Sequence, residues 1–264
     1  MSAVTVIAGS GPSLAAIAPG RVLADDLIVR VNNFFFEDRY YLGARVDLAF
    51  VSGDPRLAPF LCATLRRARA DYDIRAWTAP SRRVERAGRR RLRLPFRPFC
   101  PGDAETAARV EALKARYQAI PSSGVQAVLM AQHMGAARIV LAGIDLYSGA
   151  KRYVYTPGRH QRALLGQDLD TRAYDRPLHH PDLDRAVLAW LADRPGLTLW
   201  RSADCAALND LLDLAPARPG AAPVPAPKRR IADWDARAGL YPIALLKLMR
   251  RMRRWQRHLT GDFR

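Results

Sequence analysis

Three features of the chain predict an α/β fold on a mostly parallel sheet. Short apolar runs alternate with stretches of helical spacing, the pattern of strands joined by crossover helices. Glycine and polar groups follow several strand-like runs, where open parallel sheets present their ligand groups. Hydrophobic residues make up 49% of 264 positions, enough for one large core.

Each element has its own signal. Val4 to Ala8 is an apolar run leading straight into a glycine turn, with no basic region before it, and reads as a buried first strand, not a leader. Leu27 to Asn32 and Val46 to Ser52 read as the second and third strands. Arg56 to Ala70 has helical spacing with its cations outward, and Ile74 to Thr78 is a short strand. Ala104 to Tyr117 and Val125 to Met134 read as helices, and Arg138 to Gly143 as an apolar strand. Leu183 to Leu191 reads as a helix and Leu197 to Trp200 as a strand. Residues 1–215 thus form the main domain, with a long polar insertion at about 147–180 expected to be a lid. Residues 216–230 are Pro/Ala-rich and read as an extended linker, and 231–264 as a basic tail. The three cysteines are far apart without a C-x-x-C, which predicts reduced thiols in a cytoplasmic protein.

The net charge is +17. From Lys228 onward eleven cations face three aspartates, and the body is most basic at Arg82-Arg83 and Arg89-Arg90-Arg91. Such a field draws nucleic acid, an acidic membrane surface or a charged substrate. A basic nucleic-acid-binding α/β protein is one reading, but no RNA- or DNA-binding motif is present. The aromatics cluster at Phe34 to Tyr41 instead of alternating with cations, so no nucleic-acid partner is expected. In the tail, Leu245, Leu248, Met249, Met252, Trp255 and Leu259 fall on one stripe of a helix, with cations around the rest. This suits an interfacial membrane helix, docking on the protein's own body or a nucleic-acid arm.

The candidate site residues lie in separate segments. Gly9, Ser10, Gly11, Pro12 and Ser13 follow the first strand and open a helix, so backbone and helix N-terminus could meet a phosphate, or simply make a tight turn. Asn32 and Asn33 end the second strand and Ser52 the third; the asparagines could bind sugar or phosphate, or cap a loop. Ser122, Ser123 and Gly124 open the helix at Val125. Gly143 and Asp145 follow an apolar strand, where Asp145 could hold a ribose hydroxyl. Tyr147 and Tyr153 offer neutral O–H donors to a departing phosphate, although spacing alone favours two surface tyrosines in a loop. His179 can take a proton at neutral pH. Adjacent His179 and His180 do not face the same way, so no metal site is expected, and the D-x-D triplets read as solvated charges.

In that order, Ala8-Gly9-Ser10-Gly11-Pro12-Ser13-Leu14, Arg30-Val31-Asn32-Asn33, Ser122-Ser123-Gly124, Gly143-Ile144-Asp145-Leu146-Tyr147 with Tyr153, and His179 resemble the bacterial sialyltransferases of glycosyltransferase family 42. The resemblance runs from Val4 to about Pro216 and implies a GT-A-like, Rossmann-type domain with a lid. It implies inverting, metal-independent transfer from CMP-sialic acid, as donor substrate and with no cofactor, to an oligosaccharide or glycolipid acceptor such as a lipooligosaccharide galactoside. Asn32 then matches a donor contact, Ser123 the serine near the sialyl carboxylate, Tyr147 and Tyr153 the pair on the leaving phosphate, and His179 the base. Ser10 and Ser52 stand where the family has asparagines, and Ile120 where it commonly has an arginine. These departures point to altered specificity, including another CMP-activated nonulosonic or ulosonic acid. The expected location is cytoplasmic, at the inner membrane through the tail, as a monomer or homo-oligomer.

Overall fold

The computed structural model describes residues 3–171, 174, 178–238 and 242–260. In chain order the strands are β1 (Thr5–Ala8), β2 (Leu27–Val31), β3 (Arg39–Tyr40), β4 (Arg45–Val46), β5 (Leu48–Phe50), β6 (Asp73–Ile74), β7 (Trp77–Thr78), β8 (Arg138–Ala142), β9 (Thr198–Arg201) and β10 (Ala226–Pro227). The helices are α1 (Ala58–Ala68), α2 (Arg82–Leu92), α3 (Ala104–Tyr117), α4 (Ser123–His133), α5 (Arg159–Leu165), α6 (Pro181–Ala192) and α7 (Ile243–Thr260).

Six strands form one sheet in the order β7-β5-β2-β1-β8-β9. Every neighbouring pair in it is parallel. The predicted α/β class is therefore the observed one. The central strands are buried along most of their length, which is why they read as apolar runs instead of alternating. One core cluster joins β1, β2 and β8 to α4 and α6, and a second joins Phe34–Phe36 to α1, α2 and Ile243 and Leu246 of α7.

The sequence left α2 unread. Its high arginine content and central Gly88 hide the helical pattern, yet Gly88 is needed because a Cβ there would lie 2.1 Å from the Trp77 ring. The helix expected after Gly11 is only a 3₁₀ turn, Pro12–Ala16. The insertion at 147–180 contains α5 and is anchored where Val154 N–H donates to the Ser10 carbonyl at 2.8 Å. The Pro/Ala-rich segment lies along the body: Arg218 pairs with buried Asp26, and β10 pairs antiparallel with β3. Ile231 and Trp234 are buried, so the chain beyond 230 re-enters the packed body before reaching α7. Cys62, Cys100 and Cys205 are free thiols. Among the described residues no helix is long and apolar enough to cross a membrane.

Candidate active site

The strand order changes direction between β1 and β8, the place where open α/β sheets bind ligands beyond their carboxyl ends. A cleft of about 280 Å³ opens there. It gathers Gly9, Ser10 and Gly11 after β1, Asn32 and Asn33 after β2, and Ser52 after β5. Ser122, Ser123 and Gly124 come from the start of α4, and Gly143, Asp145 and Tyr147 from the turn after β8. Tyr153 and His179 complete it. Of the predicted residues, Pro12 and Ser13 lie outside the lining.

The glycines have a structural role that the sequence did not show. Gly9 N–H donates to Ala142 O and Gly11 N–H to Gly143 O, both at 2.9 Å, so the two loops lean on one another. A Cβ on Gly9 would sit 2.4 Å from Gly143 O, and one on Gly11 2.4 Å from the Asp145 carboxylate. Contact between the two loops by itself requires glycine at both positions, and both also line the cleft. Asp145 is likewise committed: Ser13 donates to it through both its N–H, at 3.0 Å, and its hydroxyl. Asp145 thus clamps the first turn to the turn after β8 while still lining the cleft.

This clamp supports an unusual corner. Gly143, Leu146 and Tyr147 have φ of 60°, 46° and 63°, a left-handed conformation that costs a non-glycine residue about 1–2 kcal/mol. Burial of Leu146 and the Asp145 clamp hold the corner, and it delivers Tyr147 into the cleft. The Arg152 guanidinium lies 4.6 Å from the Tyr147 ring centroid and 5.6 Å from that of Tyr153. Tyr153 in turn stacks at 5.0 Å on Tyr155, whose phenol burial holds far above its ordinary pKa. One cation and two phenols thus share a single wall.

His179 faces this wall, its ring stacked on Tyr147 at 6.2 Å. Its Nδ1 is 3.1 Å from the Ile120 carbonyl oxygen. A carbonyl only accepts, so Nδ1 carries the proton and Nε2 is the basic nitrogen of the neutral ring. His180 does something else: its Nδ1 accepts the Asp182 N–H at 3.2 Å and caps α6. The adjacent histidines diverge, as expected.

The remaining residues are held by contacts of their own. Asn32, with φ 54°, accepts the Ser52 N–H through Oδ1 at 2.8 Å, which leaves its Nδ2 as a donor. Asn33 accepts the Trp234 indole N–H at 3.2 Å. The Ser10 hydroxyl donates at 2.8 Å to Glu37, which forms a buried ion pair with Arg30. Glu37's pKa is raised by burial and only partly restored by Arg30. The Ser122 N–H donates at 2.8 Å to Asp184, whose burial raises its pKa to about 7. Ser123 and Gly124, in the first turn of α4, can present hydroxyl and N–H groups to a carboxylate.

Sequence reading missed several residues of the cleft, among them Asp54, Lys151, Arg152, Tyr155 and Trp234. Arg152 had a signal, since a departing phosphate calls for a cation and Arg152 stands beside Tyr153. Trp234 had none, lying 201 positions from Asn33 in the chain.

No known protein-family profile and no curated protein sequence matches this chain. Solved structures do. The chain is similar to the sialyltransferase CstII of Campylobacter jejuni in complex with the substrate analogue CMP-3FNeuAc, with TM-score 0.74 and 21% identity over 89% of this chain and 95% of that one. It is similar to the monofunctional α-2,3-sialyltransferase Cst-I of the same organism, with TM-score 0.74 and 19% identity over 95% and 94%. CST-II with a trisaccharide acceptor and CMP gives TM-score 0.71 and 20% identity over 88% and 94%. The chain therefore has the GT-A-like fold of these sialyltransferases.

Proposed function

We propose that the protein is a sialyltransferase that moves a sialic acid from CMP-sialic acid to a hydroxyl of an oligosaccharide acceptor. The observation that carries this reading is that His179, oriented by the Ile120 carbonyl and stacked on Tyr147, shares one cleft with Arg152 and Tyr153. As the glycosidic C–O bond to phosphate breaks, its electron pair passes to CMP, whose growing charge meets the Arg152 cation and the phenol donors. The acceptor oxygen attacks the opposite face of the oxocarbenium-like sugar, and Nε2 of His179 takes its proton. In this reading, attack on the face opposite the departing CMP inverts the anomeric centre, and Arg152 and the phenols meet the charge without a metal. The Ser123 hydroxyl and the start of α4, which line the cleft, receive the sialyl carboxylate in this reading.

A second reading, another CMP-activated nonulosonic or ulosonic acid as donor, is favoured by Ile120, which is 38% exposed and stands where the resembled family commonly has an arginine. One assay separates the two: several CMP-sugars are incubated with labelled lactose, with and without EDTA, and the product is identified by mass. Transfer of sialic acid unaffected by EDTA supports the first reading. Transfer only from another CMP-sugar supports the second, and a strict need for Mg²⁺ or Mn²⁺ counts against metal independence.

The reading extends to location. On α7, Leu248, Met249, Met252 and Trp255 are exposed by 50–68%, among cations. This face suits reversible binding to the anionic cytoplasmic leaflet, where a lipid-linked glycan acceptor would be met. Binding of the protein to vesicles of phosphatidylcholine with phosphatidylglycerol, lost in Leu248→Ser/Trp255→Ser, is the expected result.

A further inference from the structure

We infer that the protein carries a binding groove for one anionic phospholipid molecule between α2 and α7, distinct from the sugar-transfer cleft. This rests on the membrane reading above and makes it specific. The groove has a volume of about 400 Å³. Arg56, Arg83, Arg86 and Arg90 line it. The last three recur at intervals of three and four along α2, so they form one row. All four are exposed, and none has a carboxylate or carbonyl partner among the described residues. Their neighbours differ: Arg89 is paired with Glu85, and Arg91 donates to the Ala238 carbonyl. Among the described residues no acidic side chain lines the groove.

Three or four uncompensated guanidiniums repel one another unless an anion lies between them. The floor narrows the choice of anion, because it is apolar and made by Phe60, Leu246 and Met249. Met249 is also exposed on α7, and Met252 and Trp255 follow it at three-residue spacing on the same helix. A phosphodiester headgroup on the arginine row, with its acyl chain passing over Met249 toward Met252 and Trp255, satisfies both the charge and the apolar surface. A free phosphate would satisfy only the first, and the flat polar backbone of a nucleic acid would leave the floor uncovered. Guanidiniums also suit bidentate phosphate contacts.

The test uses the full chain. Wild type, Arg83→Ala/Arg86→Ala/Arg90→Ala, and an equal-charge control, Arg39→Ala/Arg109→Ala/Arg116→Ala, are titrated with vesicles of phosphatidylcholine alone or with phosphatidylglycerol. The groove variant is expected to lose about tenfold or more in affinity for the anionic vesicles, with the control changed far less. Thermal unfolding with monomeric short-chain phosphatidylglycerol should raise the wild-type Tm but not that of the groove variant, while inorganic phosphate should do neither. Equal loss in groove variant and control, or stabilisation by inorganic phosphate alone, overturns the groove while leaving membrane binding intact. A wild type that binds no anionic vesicle overturns both.

Discussion

The His179 imidazole is held through Nδ1 by the main-chain carbonyl of Ile120, 3.1 Å away. Because the contact is to the backbone, the side chain at position 120 is free to vary without moving the base. Replacing Ile120 with arginine should therefore leave kcat within a few-fold of wild type, while changing KM for acceptor or donor. Steady-state kinetics on both substrates checks this, and a collapse of kcat would show that the isoleucine side chain itself positions the base.

Arg152 stacks on Tyr147 and lies near Tyr153, so its planar cation is positioned by rings. Lysine cannot reproduce that stacking. Arg152→Lys should lower kcat for CMP release, and Arg152→Ala should lower it on the order of 10², the usual effect of losing one charge-stabilising donor. A drop confined to KM would place Arg152 in ground-state binding only.

Much of this was legible in the sequence, for identifiable reasons. The sheet was readable because β1, β2 and β8 are buried and so nearly uninterrupted in apolar character. His179, Tyr147 and the asparagines were readable because strand ends and their loops are local features. The roles of Gly9, Gly11 and Asp145 were not, since each depends on the β1 and β8 loops touching across more than 130 positions. Trp234 was hidden for the same reason, and α2 because its arginines and Gly88 mask the apolar face that packs on Trp77.

Asp184 is buried with its Oδ1 on the Ser122 N–H and Oδ2 unpartnered, and its pKa is raised to about 7 from 3.8. The native state then holds this proton more tightly than the unfolded chain. Its contribution to stability is complete below about pH 4, falls as pH rises, and is lost by about pH 7. Asp184→Asn should flatten the dependence of Tm on pH across that window. An unchanged slope would mean that Asp184 is ionised in the native protein throughout.

The ends of α5 are both held from the C-terminal segment. Asp233 accepts the Gln161 N–H at 3.3 Å near its start, and Arg250 of α7 donates to the Leu164 carbonyl at its end while also pairing with Asp54 on the cleft rim. Arg250→Ala should raise amide exchange across residues 159–165 and raise KM for the donor, with a small Tm change of about 1 kcal/mol or less in equivalent stability. Unchanged exchange would show that packing alone holds the helix.

Transfer of sialic acid from CMP-sialic acid to lactose, followed by mass in wild type, His179→Ala and His180→Ala, tests the central claim most directly. The arrangement predicts sialyl-lactose from wild type, a loss on the order of 10²–10⁴ in rate for His179→Ala, and a much smaller loss for His180→Ala. A His179→Ala enzyme as fast as wild type would contradict the assignment of the base, and a wild type that releases CMP from no donor would contradict the transferase itself.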